Sequence, residues 1–399
     1  MEAVKLLPQR EILQDWWLEV KDNFWEKDAK RQVKDLLKEL MESTMITEIV
    51  QKTGVGYYKH NPAGREDYRN GYYQRSLVTQ FGIIQGIKTP RTRKGGFKTG
   101  VFRRYKRHER IVEDLIENIF LAGVSTRRVG EAIAVLLETK VSHGTVSNIT
   151  RRLDKKVREF HVSPILDEYQ YLFCDGITLK IRHGGKYHNR KVLVVYGITL
   201  FGKRKLLGFV QAKGESCDAW EGLLNSIYNR GLTGKNLKLA AIDGSGGLKS
   251  ALSIVYPHVP IQRCWAHKLR NVSNYLKKAH QDECMKETRK IYKAKNKQQA
   301  IAEFKNWKRM WMRKAPDAVH CLEKDLEELL NFFEAPKNHW IRIRTTNVIE
   351  RSFREVRRRT RVFSCFSNKQ SCERIIYAIF TYLNNKWKER PIKQFTQFC

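Results

Sequence analysis

The sequence lacks the long apolar runs that mark membrane proteins. No stretch of about 18 or more apolar residues occurs, which excludes an ordinary transmembrane helix. The N-terminal segment, MEAVKLLPQR, lacks the basic and then apolar arrangement of a signal peptide. We therefore expect a cytoplasmic protein that has no membrane partner.

Closely spaced cysteine pairs are also absent. The eight cysteines, at positions 174, 217, 264, 284, 321, 365, 372 and 399, are scattered, and no two of them form a C-x-x-C pair. A chain of 399 residues is long enough for two or more hydrophobic cores and does not need disulfides to fold. The pattern excludes a disulfide-rich scaffold and indicates reduced thiols in a reducing compartment.

Acidic residues are scarce relative to basic ones. Lys and Arg number 76 against 42 Asp and Glu, which gives a formal net charge of +34 and a pI near 9.9. An excess of this size is unusual for an enzyme of small neutral metabolites and typical of proteins that bind a polyanion. Nucleic acid is the first candidate, and the 41% hydrophobic content excludes a disordered basic tail.

Residues 1–66 are predicted to form a helical region. Apolar residues recur at intervals of three and four across 12–24 and again across 33–40. Helix packing or self-association is the expected use of this stripe.

Residues 67–160 are predicted to bind DNA. A small hairpin or sheet is expected at 68–98, where glycine dipeptides separate β-type runs. From Lys88 to Arg110 there are ten Lys or Arg and one acid, Glu109. Such a run is commonly a solvated face, but the interleaved aromatics Phe97, Phe102 and Tyr105 also fit contact with a phosphate backbone. The candidate DNA-binding residues are Arg91, Arg93, Lys94, Arg103 and Arg104.

Two short helices are expected near the end of this region. Ser125 is predicted to cap a helix that ends near Leu137, and Ser142 is predicted to cap the next one. A helix-turn-helix would place the polar residues of the second helix in the major groove of DNA. A plain helical hairpin fits the pattern nearly as well. The candidate DNA-binding residues here are Thr145, Asn148 and Arg151.

Residues 161–263 change to an α/β pattern. Strand-like runs predict a meander, an amphipathic helix follows it and ends near Gly231, and the run NLKLAAI predicts a strand that returns beside the first. This order is expected of a ribonuclease-H-like core. Residues 264–340 are polar and helical and look like an inserted all-α domain. Residues 341–399 are expected to complete the core with helices from about Asn347 and about Ser371.

Two aspartates lie where buried strands are expected. Asp175 interrupts one apolar run and Asp243 ends another, and a buried carboxylate is costly unless it pairs or binds a metal. Each is followed by glycine, so each could instead be a turn residue. On adjacent strands they would place two carboxylates where divalent ions can assist displacement at phosphorus. Glu350, near the start of a later helix, is the candidate third carboxylate.

The segment around Glu350 also permits a structural interpretation. Asn347 followed three residues later by Glu350 has the spacing of a capping box, so Asn347 is expected to cap this helix. The arginines that follow favour a site for an anionic substrate over a simple cap. The candidate DNA-binding residues are Arg351, Arg354, Arg357, Arg358 and Arg361.

Several segments resemble the signature blocks of the Mutator-type transposases of bacterial insertion sequences. They are FCDGITLKIR, AAIDGSGGLKSAL, IQRCWAHKLRN and RTTNVIERSFREVRRRTRV, in the order of that family. With an upstream block, the resemblance covers most of residues 65–390. It implies a ribonuclease-H-like domain in which Asp175, Asp243 and Glu350 form an acidic triad that binds two divalent ions, Mg²⁺ with Mn²⁺ as a substitute.

The resemblance also implies the reaction and the partners. Such enzymes bind the inverted repeats at the ends of their element, cut there with water, and use the freed 3′-hydroxyl to attack target DNA. We therefore expect double-stranded DNA as the partner and the bacterial nucleoid as the location. Because two ends must be brought together, we expect at least a dimer.

The family's C-x-x-H motif falls here on Cys264 and His267, which are expected in the vicinity of the active site. Four residues have zinc-finger-like spacing, namely Cys264, His267, His280 and Cys284. Structural zinc is not expected, because residues 265–284 are predicted to form one helix that would spread these side chains over more than about 20 Å. Trp220 is expected to pack in the core near the site, with contact to a distorted base as the alternative.

Two other functions fit parts of the pattern. A catalytically inactive or domesticated DNA-binding protein could keep this fold, but it would be marked by loss of an acid of the triad, and all three are present. A ribonuclease-H-like nuclease or resolvase without strand transfer is disfavoured by the N-terminal DNA-binding block and the long helical insertion.

Overall fold

The computed structural model describes residues 29–56, 59, 67–101, 107–122, 124–137, 139–361 and 365–396. The expectations for residues 12–24 and for Phe102, Arg103, Arg104 and Tyr105 lie outside these residues. Contacts divide the chain into two compact units, one of Met1–Phe120 with Val124–Thr150 and one of Leu121–Gly123 with Arg151–Cys399.

A long helix and a β-hairpin form the core of the first unit. Helix α1 (Ala29–Thr53) packs beside the antiparallel strands β1 (Arg69–Thr79) and β2 (Gly82–Thr92). The buried apolar residues of this core are Met45, Leu77, Ile84 and Ile87. The tight turn between the strands ends at Gly82, whose φ of 106° favours glycine. The hairpin predicted at 68–98 is thus confirmed.

Three further helices complete the first unit. They are α2 (Arg110–Leu121), α3 (Thr126–Leu137) and α4 (His143–Thr150). The Ser125 hydroxyl accepts a hydrogen bond from the Arg128 N–H at 3.4 Å, and the Ser142 hydroxyl accepts one from the Thr145 N–H at 3.1 Å. Both predicted helix starts are therefore confirmed. A Cβ at Gly130 would lie 2.5 Å from the Val141 carbonyl oxygen, so glycine permits the close approach of α3 to the chain before α4.

A five-stranded sheet organises the second unit. After helix α5 (Leu153–Val162) come β3 (Tyr169–His183), β4 (Lys186–Thr199), β5 (Arg204–Ala212), β6 (Leu239–Ile242) and β7 (Ile261–Arg263). The order across the sheet is β5-β4-β3-β6-β7. Strands β3, β4 and β5 pair antiparallel, whereas β6 pairs parallel to β3 and β7 pairs parallel to β6. The predicted meander and the strand that returns beside its first member are confirmed.

Helices cover both faces of this sheet, which explains its nearly continuous apolar strands. On one face Leu172 and Cys174 join the buried cluster formed with α6 (Cys217–Asn229) and α7 (Gly246–Val255). Towards the other face Phe209 meets Phe380 in an edge-to-face ring contact, with centroids 5.4 Å apart. Phe380 belongs to α15 (Lys369–Lys388). Tyr171 and Phe173 of β3, which alternate with Leu172 and Cys174, are fully buried as well, so β3 is buried on both faces and its single aspartate stands out.

The segment 264–340 is helical, as predicted. It contains α8 (Trp265–Asn274), α9 (Lys278–Tyr292), α10 (Lys297–Trp311), α11 (Pro316–Glu323), α12 (Leu326–Leu330), a 3₁₀ helix (Asn331–Glu334) and α13 (Trp340–Ile343). The prediction of a single helix over 265–284 is wrong, because residues 275–277 interrupt the helix and separate α8 from α9. Gln281 stabilises the break, since its side-chain amide donates to the carbonyl oxygens of Ser273 at 3.1 Å and Leu276 at 3.3 Å.

The last helices return to the sheet. They are α14 (Asn347–Thr360), α15 and the short α16 (Lys393–Thr396). The Asn368 side chain caps α15 by accepting a hydrogen bond from the Ser371 N–H at 2.8 Å. Among the residues described, no helix is long and apolar enough to cross a membrane.

Candidate active site

Asp175 lies within a buried strand and not in a turn. It sits in β3 opposite Val194 of β4, and Gly176 continues the same strand, so the turn interpretation is wrong for this pair. The residue is 9% exposed. Its carboxylate accepts a hydrogen bond from the Gly176 N–H at 2.7 Å. The strand therefore holds a carboxylate at a position where most side chains are apolar.

Asp243 follows the neighbouring parallel strand at the matching level. Cys174 of β3 and Ile242 of β6 are register partners, so the two aspartates are the next residues on adjacent strands. The Asp243 carboxylate accepts a hydrogen bond from the Ser245 N–H at 3.0 Å, and Gly244 has a φ of 109°. Asp243 is thus also a turn residue, as the sequence allowed.

A buried ion pair braces the turn that follows Asp243. Arg263 at the end of β7 donates to the Gly244 carbonyl oxygen at 3.1 Å and to Asp325 at 2.8 Å. The buried Lys268 of α8 also pairs with Asp325. These contacts tie the turn to the helical segment 264–340. No pattern in the sequence pointed to them, because the partners lie far apart along the chain.

Glu350 lies in the first turn of α14. The predicted cap, Asn347, is wrong: Thr346 is the N-cap residue, Asn347 is already helical, and neither side chain caps the helix. The Thr346 side chain has another partner, described below, which leaves the cap position without a side-chain acceptor. Glu350 Oε1 lies 3.4 Å from Nε2 of His267.

Thr346 links the start of α14 to Cys264. It is fully buried, and both its N–H and its hydroxyl donate to Cys264 Sγ at 3.3 Å. Its hydroxyl also lies 3.5 Å from His267 Nδ1. Burial by itself would raise the pKa of the Cys264 thiol, but hydrogen bonds with His267 and Thr346 outweigh it and lower that pKa. The bond with Cys264 in turn raises the pKa of His267 to about 9, despite partial burial.

The three carboxylates interact electrostatically. Burial, then the neighbouring charge of Asp243 and more weakly that of Glu350, raise the pKa of Asp175 to about 7, whereas the Gly176 N–H and His267 oppose the rise. Carboxylates that lie near enough to repel one another are oxygen donors of the kind that a hard divalent cation prefers. In the described part of the chain, no three His, Cys, Asp or Glu side chains are grouped as a formed metal site.

The arginines of α14 differ in exposure and in their partners. Arg351, Arg354, Arg357 and Arg361 are exposed, and the last three share the side of the helix that carries Glu350. Arg358, which is also exposed, and the buried Arg359 bond the Glu355 carboxylate, at 2.8 to 2.9 Å and at 2.7 Å. These bonds, with that from Arg358 the stronger, lower the pKa of Glu355 to about 2.

The candidate DNA-binding residues of the N-terminal region are spread over its surface. Arg91 donates to the Asn70 carbonyl oxygen at 3.1 Å, and Arg93 lies over the Tyr68 ring, 5.6 Å from its centroid. The Thr145 and Ser142 hydroxyls are 3.0 Å apart. The exposed candidates here are Arg91, Arg93, Lys94, Asn148 and Arg151, the last of which falls in the second unit.

The remaining candidates are Trp220 and the four residues with zinc-finger-like spacing. Trp220 is 1% exposed and packs in the core cluster, as predicted, with no partner for its Nε1 among the described residues. The residues with zinc-finger-like spacing separate into two places. Cys264 and His267 adjoin Glu350, whereas His280 contacts the Trp311 ring and Cys284 Sγ lies 3.9 Å from the Thr288 hydroxyl.

Comparison with known proteins identifies the family. Residues 10–390 match the model of the family described as Transposase, Mutator family. The transposase for insertion sequence element ISRM5 of Rhizobium meliloti is 31% identical over 357 residues, which are 90% of this chain and 89% of the relative. The transposase for IS905 of Lactococcus lactis is 30% identical over 376 residues, 94% of this chain and 93% of the relative. The transposase for IS406 of Burkholderia multivorans is 34% identical over 326 residues, 81% and 83% of the two chains. The chain belongs to the Mutator family of transposases.

Proposed function

We propose that the chain binds the inverted repeats at the ends of an insertion sequence and catalyses metal-dependent cleavage and transfer of DNA strands there. The observation that carries the proposal is the placement of Asp175 and Asp243 on adjacent strands and their electrostatic coupling with Glu350. The two aspartates follow register partners on adjacent parallel strands, and both Asp243 and Glu350 raise the pKa of Asp175. The order β5-β4-β3-β6-β7, with three antiparallel strands and then two parallel ones, supports a ribonuclease-H-like core.

The three carboxylates are the residues that would hold Mg²⁺ or Mn²⁺. When bound there, two such ions would supply charge stabilisation to the attacking and leaving oxygens of an in-line displacement at phosphorus. His267, 3.4 Å from Glu350, orients that carboxylate and offsets part of the negative charge of the site. The exposed Arg354, Arg357 and Arg361 of α14 lie on the same side of the helix as Glu350 and bind the phosphates of the substrate strand.

The reaction has two steps, and the protein forms no covalent bond in either. In cleavage, a water oxygen bonds to phosphorus, the bond from phosphorus to the 3′ oxygen breaks, and a free 3′-hydroxyl remains. In transfer, that 3′ oxygen bonds to a phosphorus of the target strand and the 3′ oxygen of the target leaves. The N-terminal unit, with α3 and α4 as a helix-turn-helix, positions the ends, and at least two copies of the chain hold two ends together.

The test combines three substitutions with a matched control. Asp175→Asn, Asp243→Asn and Glu350→Gln should each abolish Mg²⁺-dependent cleavage and strand transfer on a duplex that carries the end of the element, while DNA binding persists. Asp282→Asn, an exposed acid of α9, should behave like wild type. Strand transfer by any of the three variants would overturn the assignment. Cleavage by the wild type without joining would instead favour a nuclease.

A further inference from the structure

The first unit contains a large groove lined by basic residues. Its volume is about 940 Å³, and its walls come from the β1–β2 hairpin, from residues 95–99 and 107–108, and from residues 139–145 at the start of α4. Five of its described lining residues are Lys or Arg, namely Arg75, Arg91, Lys98, Arg107 and Lys140, and none is Asp or Glu. A groove of this composition is suited to a polyanion.

Contacts on the outside of the groove hold its walls in place. The Glu48 carboxylate of α1 accepts hydrogen bonds from the Thr99 hydroxyl at 2.6 Å and the Gly100 N–H at 2.9 Å, which anchors the segment that carries Lys98. On another wall, the Val78 N–H donates to the Arg107 carbonyl oxygen at 2.9 Å, so Arg107 is fixed along the edge of β1. The groove is therefore organised before a ligand binds.

Three acids of this unit bond to main-chain or hydroxyl donors. Glu42 accepts from the Lys88 N–H at 2.9 Å, and Glu109 accepts from the Gln80 N–H at 3.1 Å. These carboxylates, like Glu48, thus bond to main-chain or hydroxyl donors. Within the described residues, no carboxylate pairs with Lys98, Arg107 or Lys140, and all three are exposed.

Hydroxyl groups beside these cations complete the lining. Ser142 and Thr145 at the start of α4 and Tyr73 of β1 line the groove. Thr89 lies in its wall with a buried hydroxyl that has no hydrogen-bond partner among the described residues. Lys, Arg, Ser, Thr and Tyr are the side chains that bond phosphate oxygens along duplex DNA and carry no sequence information there.

We propose that this groove binds the phosphate backbone of duplex DNA at the end of the insertion sequence. The proposal deepens the proposed function and rests on it, since it names the surface that holds the end while the carboxylates of the second unit act. It predicts that the groove contributes affinity and register, and that base recognition lies elsewhere.

The test measures the salt dependence of binding with the full chain. Lys98→Gln, Arg107→Gln and Lys140→Gln are combined in one variant. Lys34→Gln, Lys52→Gln and Lys59→Gln, which lie in the same unit outside both the groove and the α3–α4 pair, form the matched control. Fluorescence anisotropy follows binding to a duplex that carries the end of the element and to a random duplex. Salt is varied between about 50 and 200 mM.

The groove variant should bind both duplexes more weakly. The slope of log affinity against log salt should fall in magnitude by about 3, because each lost phosphate contact removes about 0.9 from it. The preference for the end duplex over the random one should persist. The control should change the slope by less than about 1.

Three outcomes would overturn the groove assignment. They are equal slopes for the groove variant and the control, loss of the preference for the end sequence alone, and weakened binding to single-stranded DNA with duplex binding intact. Failure of the proposed function is recognised separately. A wild-type chain that binds no duplex DNA, or Asp175→Asn that still cleaves it, would contradict that function, whereas normal binding by the groove variant in a cleaving enzyme would sink only the groove.

Discussion

Thr346 donates two hydrogen bonds to Cys264 Sγ, one from its main-chain N–H and one from its hydroxyl, both 3.3 Å long. The Cys264 N–H in turn donates to the Ile242 carbonyl oxygen at 2.8 Å, directly before Asp243. Cys264 therefore connects the end of β6, which Asp243 follows, to the start of α14, which carries Glu350. This connection gives the C-x-x-H motif a positioning role. His267 lies in the first turn of α8, directly after Cys264, and its Nε2 is 3.4 Å from Oε1 of Glu350.

Thr346→Val tests this connection. The substitution removes the hydroxyl bond but keeps the shape and the main-chain bond, so we expect a loss of about 1 kcal/mol of stability. A small displacement of Glu350 should lower the rate of strand cleavage more strongly, by up to about 10²-fold. Thermal unfolding and single-turnover cleavage of end DNA measure the two effects.

Thr346→Ser is the matched control, because it keeps the hydroxyl. It should cleave DNA at close to the wild-type rate. If the Val variant cleaved as fast as the Ser variant, the hydroxyl bond would have no part in positioning Glu350.

Asp175 should destabilise the protein when no cation is bound. It is 9% exposed, and burial and Asp243 raise its pKa to about 7, so its ionised form at pH 8 is unfavourable. Asp175→Asn should raise the Tm in EDTA, by about 2–4 °C for each kcal/mol of repulsion relieved. Mg²⁺ should raise the Tm of the wild type and not that of the variant.

Differential scanning fluorimetry with EDTA and with Mg²⁺ checks this expectation. Asp282→Asn, on the surface of α9, should match the wild type in both conditions. Equal stabilisation of the wild type and Asp175→Asn by Mg²⁺ would argue against Asp175 as a cation ligand.

Periodicity in the sequence was enough to predict the sheet. Alternating and continuous apolar runs indicated the strands, and an aspartate inside such a run stood out because buried carboxylates are rare. The pattern therefore pointed to Asp175 and Asp243, which the structure places on adjacent strands. Glu350 was predicted from its place at the start of a basic helix, and Cys264 and His267 from the resemblance to the Mutator-type transposases; the structure brings these three residues close together.

Contacts between distant segments could not be predicted in the same way. Local sequence favours Asn347 over Thr346 as the cap, because asparagine has the better capping side chain and nothing local reveals that Thr346 donates to a thiol 82 residues away. Likewise, the arginines of α14 are equivalent by composition. Packing under the Tyr382 ring, 4.2 Å from its centroid, buries Arg359 and leaves Arg357 exposed.

The glycines after Asp243 offer a matched pair of substitutions. A Cβ at Gly247 would lie 2.6 Å from the Glu215 carbonyl oxygen and 2.9 Å from the Cys217 nitrogen, whereas a Cβ at Gly246 would meet nothing within 4 Å. Gly247→Ala should push α7 away from the start of α6, at a cost of about 1–3 kcal/mol, and slow cleavage by moving the Asp243 turn. Gly246→Ala should be neutral or stabilising by up to about 1 kcal/mol.

Urea denaturation and single-turnover cleavage separate the two alanine variants. The prediction fails if they have the same midpoint and the same rate, since the close approach of the two helices would then be readily relaxed.

Glu355 should make the stability of the second unit depend on pH in acid. Bonds from Arg358 and, against partial burial, from Arg359 lower its pKa to about 2 from an ordinary 4.5. Because the folded pKa is the lower one, the contribution to stability is complete above pH 4.5 and is lost as the pH falls towards 2. Glu355→Gln should therefore be less stable than the wild type at pH 7 by roughly 2 kcal/mol, since it also leaves the buried Arg359 without a charged partner.

Denaturation curves at pH 7 and pH 3 should show that the stability gap between the wild type and Glu355→Gln narrows in acid. Glu283→Gln, which replaces an exposed acid of α9, should show no such gap at either pH. A gap that stays constant or widens on acidification would mean that the Glu355 carboxylate does not stabilise the helix through its arginines.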